Sequence, residues 1–413
     1  MIEAIWQKLD GRVTFALPLR AILVFAVLFA LICAITLVAL MSGSFPMSAT
    51  DALWSLAGNP PSDMAATVVW EFRLPRALAA AMAGALLAGS GAVLQTVTRN
   101  ALADPSLVGV SQGAGLAVVT VLVIFPDTPI GLRPILAFAG ALAVAVLIQA
   151  IAMRRTGGAT LRFILTGIGV AAFLGAVTQA MLTYGDLDRA MAALSWLAGS
   201  VHAAAWSDVQ VLSISLGLLI PAMIWAARPL AALRMGPEIA TGLGSAVTRD
   251  RAALITLSVA LAACAVSMVG PLGFVGLIAP HLARRLARCG PGLRLALSLA
   301  TGAALVAGAD LIGRTAFAPV QIPAGLVTAV IRTGFRLAVA KECYGSTLKA
   351  FSSAVFRRKS SHTNKAVYLT SLIDISCEFC NLGLKGPSVT LDGNSVFVRM
   401  PALGYGAAAS LAA

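Results

Sequence analysis

The sequence predicts an all-α membrane protein that crosses the bilayer about ten times. Hydrophobic residues make up 59% of its 413 residues and charged residues only 11%, whereas a soluble domain carries roughly 25% charged residues. Apolar runs long enough to cross a membrane recur from residue 21 to residue 331. Arg and Lys residues stand at the ends of these runs, as they do in multi-pass membrane proteins.

Ten apolar segments carry the prediction of crossings. The first, Ala21 to Met41, follows a basic start, but it is longer than the apolar stretch of about 7–15 residues in a signal peptide. We therefore expect a retained first helix. The eighth contains Gly273, Gly276 and Pro280, which predict a shorter or re-entrant helix. The predicted helices are residues 21–41, 76–97, 106–125, 134–153, 161–184, 208–227, 252–270, 272–289, 293–313 and 320–340.

The positions of the basic residues predict an orientation. Arg and Lys are concentrated in the segments that would share a side with the N-terminus, for example at Arg228, Arg249 and Arg284, and are sparse in the alternate segments. Cytoplasmic loops carry such an excess. We therefore expect a cytoplasmic N-terminus, and the formal charge of +13 indicates topology rather than nucleic-acid binding.

The sequence offers no obvious catalytic or metal centre. No G-x-x-x-x-G-K-[ST] phosphate loop occurs in it, so ATP hydrolysis by that route is not expected of this chain. His202, His281 and His362 do not stand at metal-ligand spacing. Cys377 and Cys380 have C-x-x-C spacing, but no second pair accompanies them. No cluster of converging catalytic groups, which a membrane-embedded enzyme would need, stands out.

Short motifs follow one another along the chain. They are RLPR at 73–76, RNALADP at 99–105, GVSQGA at 109–114, GFVGLIAPHLAR at 273–284, AD at 309–310 and IPAGLVT at 322–328. In this order and at these separations, over about residues 15–331, they resemble the FecCD-type permease family of binding-protein-dependent importers. One departure is Ala101, where the family usually has proline.

The resemblance implies the architecture of a type II ATP-binding-cassette (ABC) importer permease, with ten helices per subunit. It implies a second permease subunit, identical or different, in the bacterial inner membrane. Two ATPase subunits that use ATP and Mg are expected on the cytoplasmic face, and a substrate-binding protein on the outer face. This chain is expected to bind no cofactor and to be no enzyme. The implied cargo is an iron(III)–siderophore complex, with vitamin B12 and haem as alternatives. An ion-coupled secondary transporter would need intramembrane carboxylates, which are scarce here.

Three groups of site residues follow from the resemblance. Arg73 and Arg76 are expected to meet a docking binding protein, since rim charges steer encounter. Residues 233–244, LRMGPEIATGLG, are expected to form a short helix that seats in a groove of the ATPase. The coupling residues are Leu233, Gly236, Glu238, Ala240, Leu243 and Gly244. The expected translocation and gating residues are Asn100, Asp104, Pro105, Gly273, Phe274, Gly276, Pro280, His281, Arg284, Pro323, Gly325 and Thr328.

Two further expectations come from the residues alone. Asp310 and Arg314 stand at i and i+4 near the end of the ninth helix, which predicts an intrahelical ion pair. Beyond residue 331, Arg332, Arg336 and Lys341 interrupt the apolar run. We therefore expect the permease domain to occupy residues 1–331 and residues 332–413 to be an atypical tail. A misjoined or frameshifted end is favoured because no periodic pattern is present, with a weakly folded cytoplasmic tail as the alternative.

Overall fold

The computed structural model describes residues 3–7, 14–43, 45–153, 159–317, 320–331, 388–392 and 395–399. The chain divides into two compact units, Met1–Val330 and Ile331–Ala413. The first unit is a bundle of helices, which confirms the all-α prediction for the membrane part. One short antiparallel pair, β1 (Glu3–Gln7) with β2 (Thr14–Pro18), precedes the first helix.

The helices of the first unit follow the predicted order. They are α1 (Leu19–Met41), α2 (Ala49–Leu56), α3 (Asp63–Thr67), α4 (Leu74–Thr98), α5 (Val110–Ile124), α6 (Arg133–Met153), α7 (Ala159–Tyr184), α8 (Leu187–Leu197), α9 (Trp206–Met235), α10 (Pro237–Gly242), α11 (Val247–Val269), α12 (Val275–Leu286) and α13 (Pro291–Thr315). We call residues 324–331 α14. A π-helical turn, Val68–Arg73, leads into α4, and 3₁₀ turns form at Pro105–Val108 and Ile130–Leu132.

Seven helical segments of the described chain are long and apolar enough to cross a membrane. They are Leu19–Met41, Asp63–Thr98, Ile130–Ala152, Arg162–Tyr184, Trp206–Met235, Val247–Val269 and Pro291–Thr315. The other predicted crossings correspond to shorter helices. α5 has 15 residues and α12 has 12, and α14 is described as far as residue 331. The predicted ten crossings are therefore an approximate count.

Backbone geometry explains why α12 is short. α11 ends at Gly270, whose φ of 72° is left-handed, and Phe274 also takes a left-handed φ of 67° before α12 begins at Val275. A non-glycine residue with positive φ is uncommon and carries strain. The shorter helix predicted from the glycines is confirmed, and Pro280 lies within it.

Helix α4 lies at the centre of the bundle and packs against α9, α11, α12 and α13. Its close approaches depend on glycine. A Cβ atom added at Gly84 would collide with the carbonyl of Gly302 in α13, and one at Gly91 would collide with the carbonyl of Gly276 in α12. Small residues let membrane helices approach closely, so the small residues of α4 allow it to hold the core.

Buried polar side chains also join α4 to its neighbours. Ser90 and Ser258 exchange hydrogen bonds, with each hydroxyl reaching the other residue's backbone carbonyl at 2.5 and 2.9 Å. The Gln95 amide donates to the carbonyls of Gly276 and Leu277 at 3.1 and 3.3 Å. These hydrogen bonds give partners to polar groups that lie in apolar surroundings, where neither lipid nor apolar side chains can hydrogen-bond to them.

Residues 332–413 belong to the second unit, where the structure describes the antiparallel pair β3 (Ser388–Asp392) and β4 (Ser395–Arg399). The rest of this segment, including Arg332, Arg336, Lys341, His362 and the pair Cys377–Cys380, lies outside the described residues. The interpretation of the tail as a misjoined end stays a prediction.

Candidate translocation and coupling sites

The predicted site residues fall at two opposite ends of α4. With 25 residues and about 1.5 Å of rise per residue, this helix is about 37 Å long. We call the end where α4 begins the α8 end and the end where it finishes the α10 end. At the α10 end, the guanidinium of Arg99 donates to the carbonyl of Leu233, 2.9 Å away at the close of α9.

The α8 end contains a buried polar network centred on Arg76. Its guanidinium binds both carboxylate oxygens of Asp310, with Nη2 to Oδ1 at 2.8 Å and Nε to Oδ2 at 3.0 Å. It also donates to Gln321 Oε1 at 2.8 Å and to His202 Nδ1 at 2.9 Å. The side chains of Arg76 and Asp310 are 9% and 6% exposed. Four separate segments of chain are therefore joined at one guanidinium.

This network corrects the predicted ion pair between Asp310 and Arg314. Asp310 pairs with Arg76 of α4, whereas the Arg314 guanidinium donates to the carbonyl of Ala39 in α1. The physical reason is the packing of α4 against α13. It offers Asp310 a bidentate partner, which is stronger than a flexible i,i+4 contact.

Arg73 and Arg314 together cap the C-terminal end of α1. The last carbonyls of a helix have no intrahelical donor, and the last turn of α1 has no basic residue of its own. Arg73 donates to the carbonyls of Leu40 and Phe45 at 2.5 and 2.6 Å, beside the Ala39 carbonyl taken by Arg314. These guanidinium groups therefore hold the end of α1.

The predicted docking residues Arg73 and Arg76 are both buried. Their exposed fractions are 6% and 8%, and their guanidinium groups bond to acceptors within this chain. The docking role stays a prediction. The structure also shows that Arg73 holds the end of α1 and that Arg76 joins α4 to α13.

A cavity of about 500 Å³ opens beside the Arg76 network. Polar groups on its wall include Arg76, Arg133, His202 and Gln321, and its apolar wall includes Val118 and Trp196. His202 and Gln321 were missed by sequence reasoning. Neither belongs to a quoted motif, although Gln321 directly precedes IPAGLVT.

The residues predicted to act in gating are divided between the two ends. At the α8 end, Gly325 donates its backbone N–H to the Gly199 carbonyl at 3.1 Å, and the Thr328 hydroxyl bonds to the Gly325 carbonyl at 2.9 Å. Pro323 borders the cavity beside Arg76. Of these motif residues, Pro323 therefore forms part of the cavity wall.

The other gating residues gather near the α10 end, in the loop from α4 to α5 and in α12. Asp104 caps the 3₁₀ turn through Oδ1, which accepts the Ser106 N–H at 2.8 Å and the Ser106 hydroxyl at 2.5 Å. Asn100 Oδ1 accepts the Leu102 N–H at 2.9 Å. Pro105 packs against Gly276, where an added Cβ would lie 3.0 Å from the proline Cδ. The loop and α12 are thus in direct contact.

Asp104 is 2% exposed, and burial raises the pKa of its carboxyl, while hydrogen bonds from Ser106 and the backbone of Leu277 act in the opposite direction. Its Oδ2 atom has no hydrogen-bond partner among the described residues. Farther along α12, His281 lies between Arg284 and Arg285, with nitrogen–nitrogen distances of 3.5 and 3.2 Å. This histidine lies in a basic surrounding near the helix end.

The predicted coupling segment contains the helix α10, six residues long. Gly236 and Gly244 flank it with φ values of 126° and 82°, which glycine adopts without strain. Leu233 and Ala240 are buried in the main core, at 2% and 0% exposure, and Glu238 is exposed.

Of the two outward apolar residues in the coupling segment, Leu243 is among those expected and Ile239 is not. Leu243 is 63% exposed and Ile239 is 52% exposed, and their i,i+4 spacing places them on one face. Ala240 instead points into the core. Ile239 was missed because the family pattern emphasised Ala240.

Residues 28–339 match the FecCD transport family. The chain belongs to this family. It is 39% identical over 326 residues to the Fe(3+)-citrate import system permease protein YfmE of Bacillus subtilis (strain 168), covering 78% of this chain and 95% of that protein. The achromobactin transport system permease protein CbrC of Dickeya dadantii (strain 3937) is 36% identical, over 81% of this chain and 95% of its own length.

A solved structure gives the same fold. It is described as an inward-facing conformation of a metal-chelate type ABC transporter, and it aligns with a TM-score of 0.68 and 24% sequence identity over 76% of this chain and 96% of that chain. This FecCD family member is therefore a multi-pass membrane permease, and the recognition made from its motifs is confirmed.

Proposed function

We propose that this chain is the membrane subunit of an ABC importer that carries an iron(III)–siderophore complex across the bacterial inner membrane. The observation that carries the proposal is the near full-length likeness to YfmE, an Fe(3+)-citrate import permease. A second relative, CbrC, is named for achromobactin. Vitamin B12 and haem are the alternative cargoes within the same class of transporter.

The two ends of the bundle suit two different partners. A substrate-binding protein would dock at the α8 end, where the cavity of about 500 Å³ opens and where Arg73 and Arg76 lie. A pair of ATPase subunits would bind at the α10 end, against the face formed by Ile239 and Leu243. In this arrangement the N-terminus and α10 are cytoplasmic, as the basic loops predict.

Alternating access would use α10 as the point of contact with the ATPase. Its outward face is free for a partner groove, while Leu233 and Ala240 fasten the same segment to the core. Gly236 and Gly244 mark where the chain turns into and out of this segment. A displacement of α10 would therefore reach α9 and α11 directly. At the other end, the Arg76 network joins α4 and α13, which must separate or move together when the cavity opens or closes.

The rival class, an ion-coupled carrier, needs an ionisable group that can be loaded and released. Asp310 is the buried carboxylate in α13, and its two oxygens are both bound by Arg76. A carboxylate whose two oxygens are both occupied by a guanidinium offers no free oxygen for loading and releasing a coupling ion. The geometry therefore favours a structural role for Asp310 and energy supplied by a partner ATPase.

The test is uptake by proteoliposomes that contain the permease, its ATPase and its binding protein. We expect radiolabelled ferric siderophore to enter only when ATP is present on the ATPase side, with the proton gradient collapsed. Ferric citrate, haem and cobalamin, each with its own binding protein, are the comparison cargoes. Uptake that ignores ATP and follows the proton gradient would contradict the proposal.

A further inference from the structure

His202 lies in the short connection between α8 and α9, on the wall of the cavity beside Arg76. We call residues 200–205 the mouth segment, because four of them line that cavity. A backbone hydrogen bond holds the start of this segment, from the Ser200 N–H to the Val269 carbonyl at 2.9 Å. The side chain of His202 is exposed, so its ring is open to protons from the aqueous side.

The hydrogen bond between His202 and Arg76 fixes the protonation state of the imidazole. Nδ1 of His202 and Nη1 of Arg76 are 2.9 Å apart. A guanidinium has only N–H donors and keeps its charge in proteins, so Nδ1 must supply the acceptor lone pair. A neutral ring with its proton on Nε2 meets this requirement, whereas a ring protonated on both nitrogens does not. The bond therefore exists only while His202 is uncharged.

Protonation of His202 competes with Arg76 for the same lone pair. Nε2 already carries the proton of the neutral ring, so a second proton can be added only at Nδ1, where the Arg76 N–H is bound. Uptake of that proton breaks the hydrogen bond and leaves an imidazolium next to a guanidinium. Histidine is the side chain that ordinarily changes charge between about pH 5 and pH 8. The contact is therefore sensitive to mild acid.

The other charged groups at the cavity offer the protonated ring no counterion. The charged and titratable side chains that line the cavity are those of Arg76, Arg133, His202 and Asp208. One oxygen of Asp208 already accepts a backbone N–H of the mouth segment at 2.9 Å, and both oxygens of Asp310, which joins the site through Arg76, are bound by that arginine. Among the described residues, no carboxylate forms an ion pair with the His202 ring.

Release of His202 would leave the buried ion pair intact. Arg76 keeps its bonds to Asp310 and to Gln321, which join α4 to α13 and to the chain just before α14. Among the described contacts of Arg76, the bond to His202 is the one that reaches the mouth segment. Loss of this bond therefore loosens one edge of the cavity while the rest of its wall stays in place.

We propose that His202 is a positioning residue, which holds the mouth segment against α4 while it is neutral and releases it when it is protonated. Acid on the cavity side then slows the entry of cargo, because one edge of the cavity no longer keeps a fixed shape. This inference rests on the proposed function for the cargo and for the outward orientation of the α8 end. The response of the mouth segment itself requires only the folded chain in a membrane.

The first experiment measures the mobility of the mouth segment with a spin label on a cysteine at Ala203. The full-length permease, without its six native cysteines, is reconstituted in nanodiscs. We expect an ordered spectrum at about pH 8 and a mobile component at about pH 5. The ratio of mobile to ordered label should rise about fivefold, which corresponds to the net contribution of one hydrogen bond.

Two variants of His202 test whether this residue is the group that titrates. His202→Gln keeps a neutral acceptor and should remain close to the spectrum at about pH 8, whereas His202→Lys carries a charge and should remain close to the spectrum at about pH 5. His362→Gln is the matched control and should follow the wild type. A pH response that persists in either His202 variant would overturn the proposal, as would a wild-type spectrum that does not change.

The second experiment varies the outer pH during ATP-driven uptake by proteoliposomes, with the ATPase side held at constant pH. The ratio of uptake at about pH 5 to uptake at about pH 8 should be about fivefold lower in the wild type than in His202→Gln. The same binding protein and chelate serve both, so their own pH dependence cancels. Equal ratios would overturn the role of His202 and leave ATP-driven import standing. Absence of ATP-driven uptake in every variant would contradict the proposed function, and the spectra would still decide the role of His202.

Discussion

Arg76 and Asp310 stand 234 positions apart in the sequence, yet they form a bidentate ion pair with both side chains almost fully buried. The pair joins the first turn of α4 to the last part of α13. His202 and Gln321 occupy the remaining face of the same guanidinium. Each charge thereby has a counterion in a buried position, where an unpaired charge would destabilise the fold.

We expect Asp310→Ala to destabilise the permease by about 3–5 kcal/mol, because it leaves the Arg76 charge buried without a counterion. The double variant Arg76→Met with Asp310→Leu should recover much of this loss, since no isolated charge remains. Unfolding in mixed detergent measures both. Asp127→Ala, at an exposed position, is the control and should change little. A single variant as stable as the wild type would contradict the buried-pair interpretation.

Replacements in α10 should separate coupling from folding. Leu243→Arg changes an exposed position, so we expect normal membrane insertion with loss of ATPase co-purification or of its stimulation by loaded binding protein. Ala240→Arg places a charge in the core and should reduce the amount of folded permease. Glu238→Ala should be mild, because an exposed pair contributes at most about 1 kcal/mol. Near-normal stimulation in Leu243→Arg would refute the coupling assignment.

Asp104 predicts a pH dependence with a definite sign. Burial raises the pKa of this carboxyl above its ordinary value of 3.8. The folded state therefore binds this proton more tightly than the unfolded state does, and protonation of Asp104 contributes to the stability of the fold. That contribution is fully present below 3.8 and is lost as the pH rises through the higher folded value. Asp104→Asn keeps the Oδ1 acceptor for Ser106, and we expect it to remove the dependence without loss of stability at neutral pH.

The matched variant Asp104→Ala removes the cap of the 3₁₀ turn and should cost about 1 kcal/mol. Stability measured from acid to neutral pH distinguishes the two variants. If Asp104→Asn proved as damaging as Asp104→Ala at neutral pH, the ionised carboxylate would be required, and the effect of burial would have been overstated.

Cysteine labelling tests the orientation. In a background from which all six native cysteines have been removed, a cysteine at Thr128 or Ser207 should react with a membrane-impermeant reagent in intact cells, whereas one at Ser245 should not. Thr128 and Ser207 lie in segments toward the α8 end, and Ser245 follows α10. Labelling of position 245 from outside would reverse the proposed orientation and remove α10 from the ATPase.

The long helices were predictable because hydropathy alone specifies a segment that spans a bilayer. α8 was not predicted, because its 11 residues are too few to span a bilayer. α2, α3 and the π-helical turn were missed because they are also too short to span it. Asp310 was paired with Arg314 because the sequence shows only local spacings. Its contact with Arg76 arises only when α4 and α13 pack together. The inward direction of Ala240 likewise depended on tertiary contacts.

The capping of α1 by Arg73 and Arg314 has a consequence for how the permease fits its membrane. α1 is fastened near its two ends, by packing of Ala21 at one and by guanidinium groups at the other, while Val27, Phe29 and Leu31 between them face outward. The helix is therefore fixed at both ends while its middle part is exposed. Because both ends are held, α1 cannot tilt independently of the bundle, so a bilayer of different thickness would have to thin or thicken locally around it.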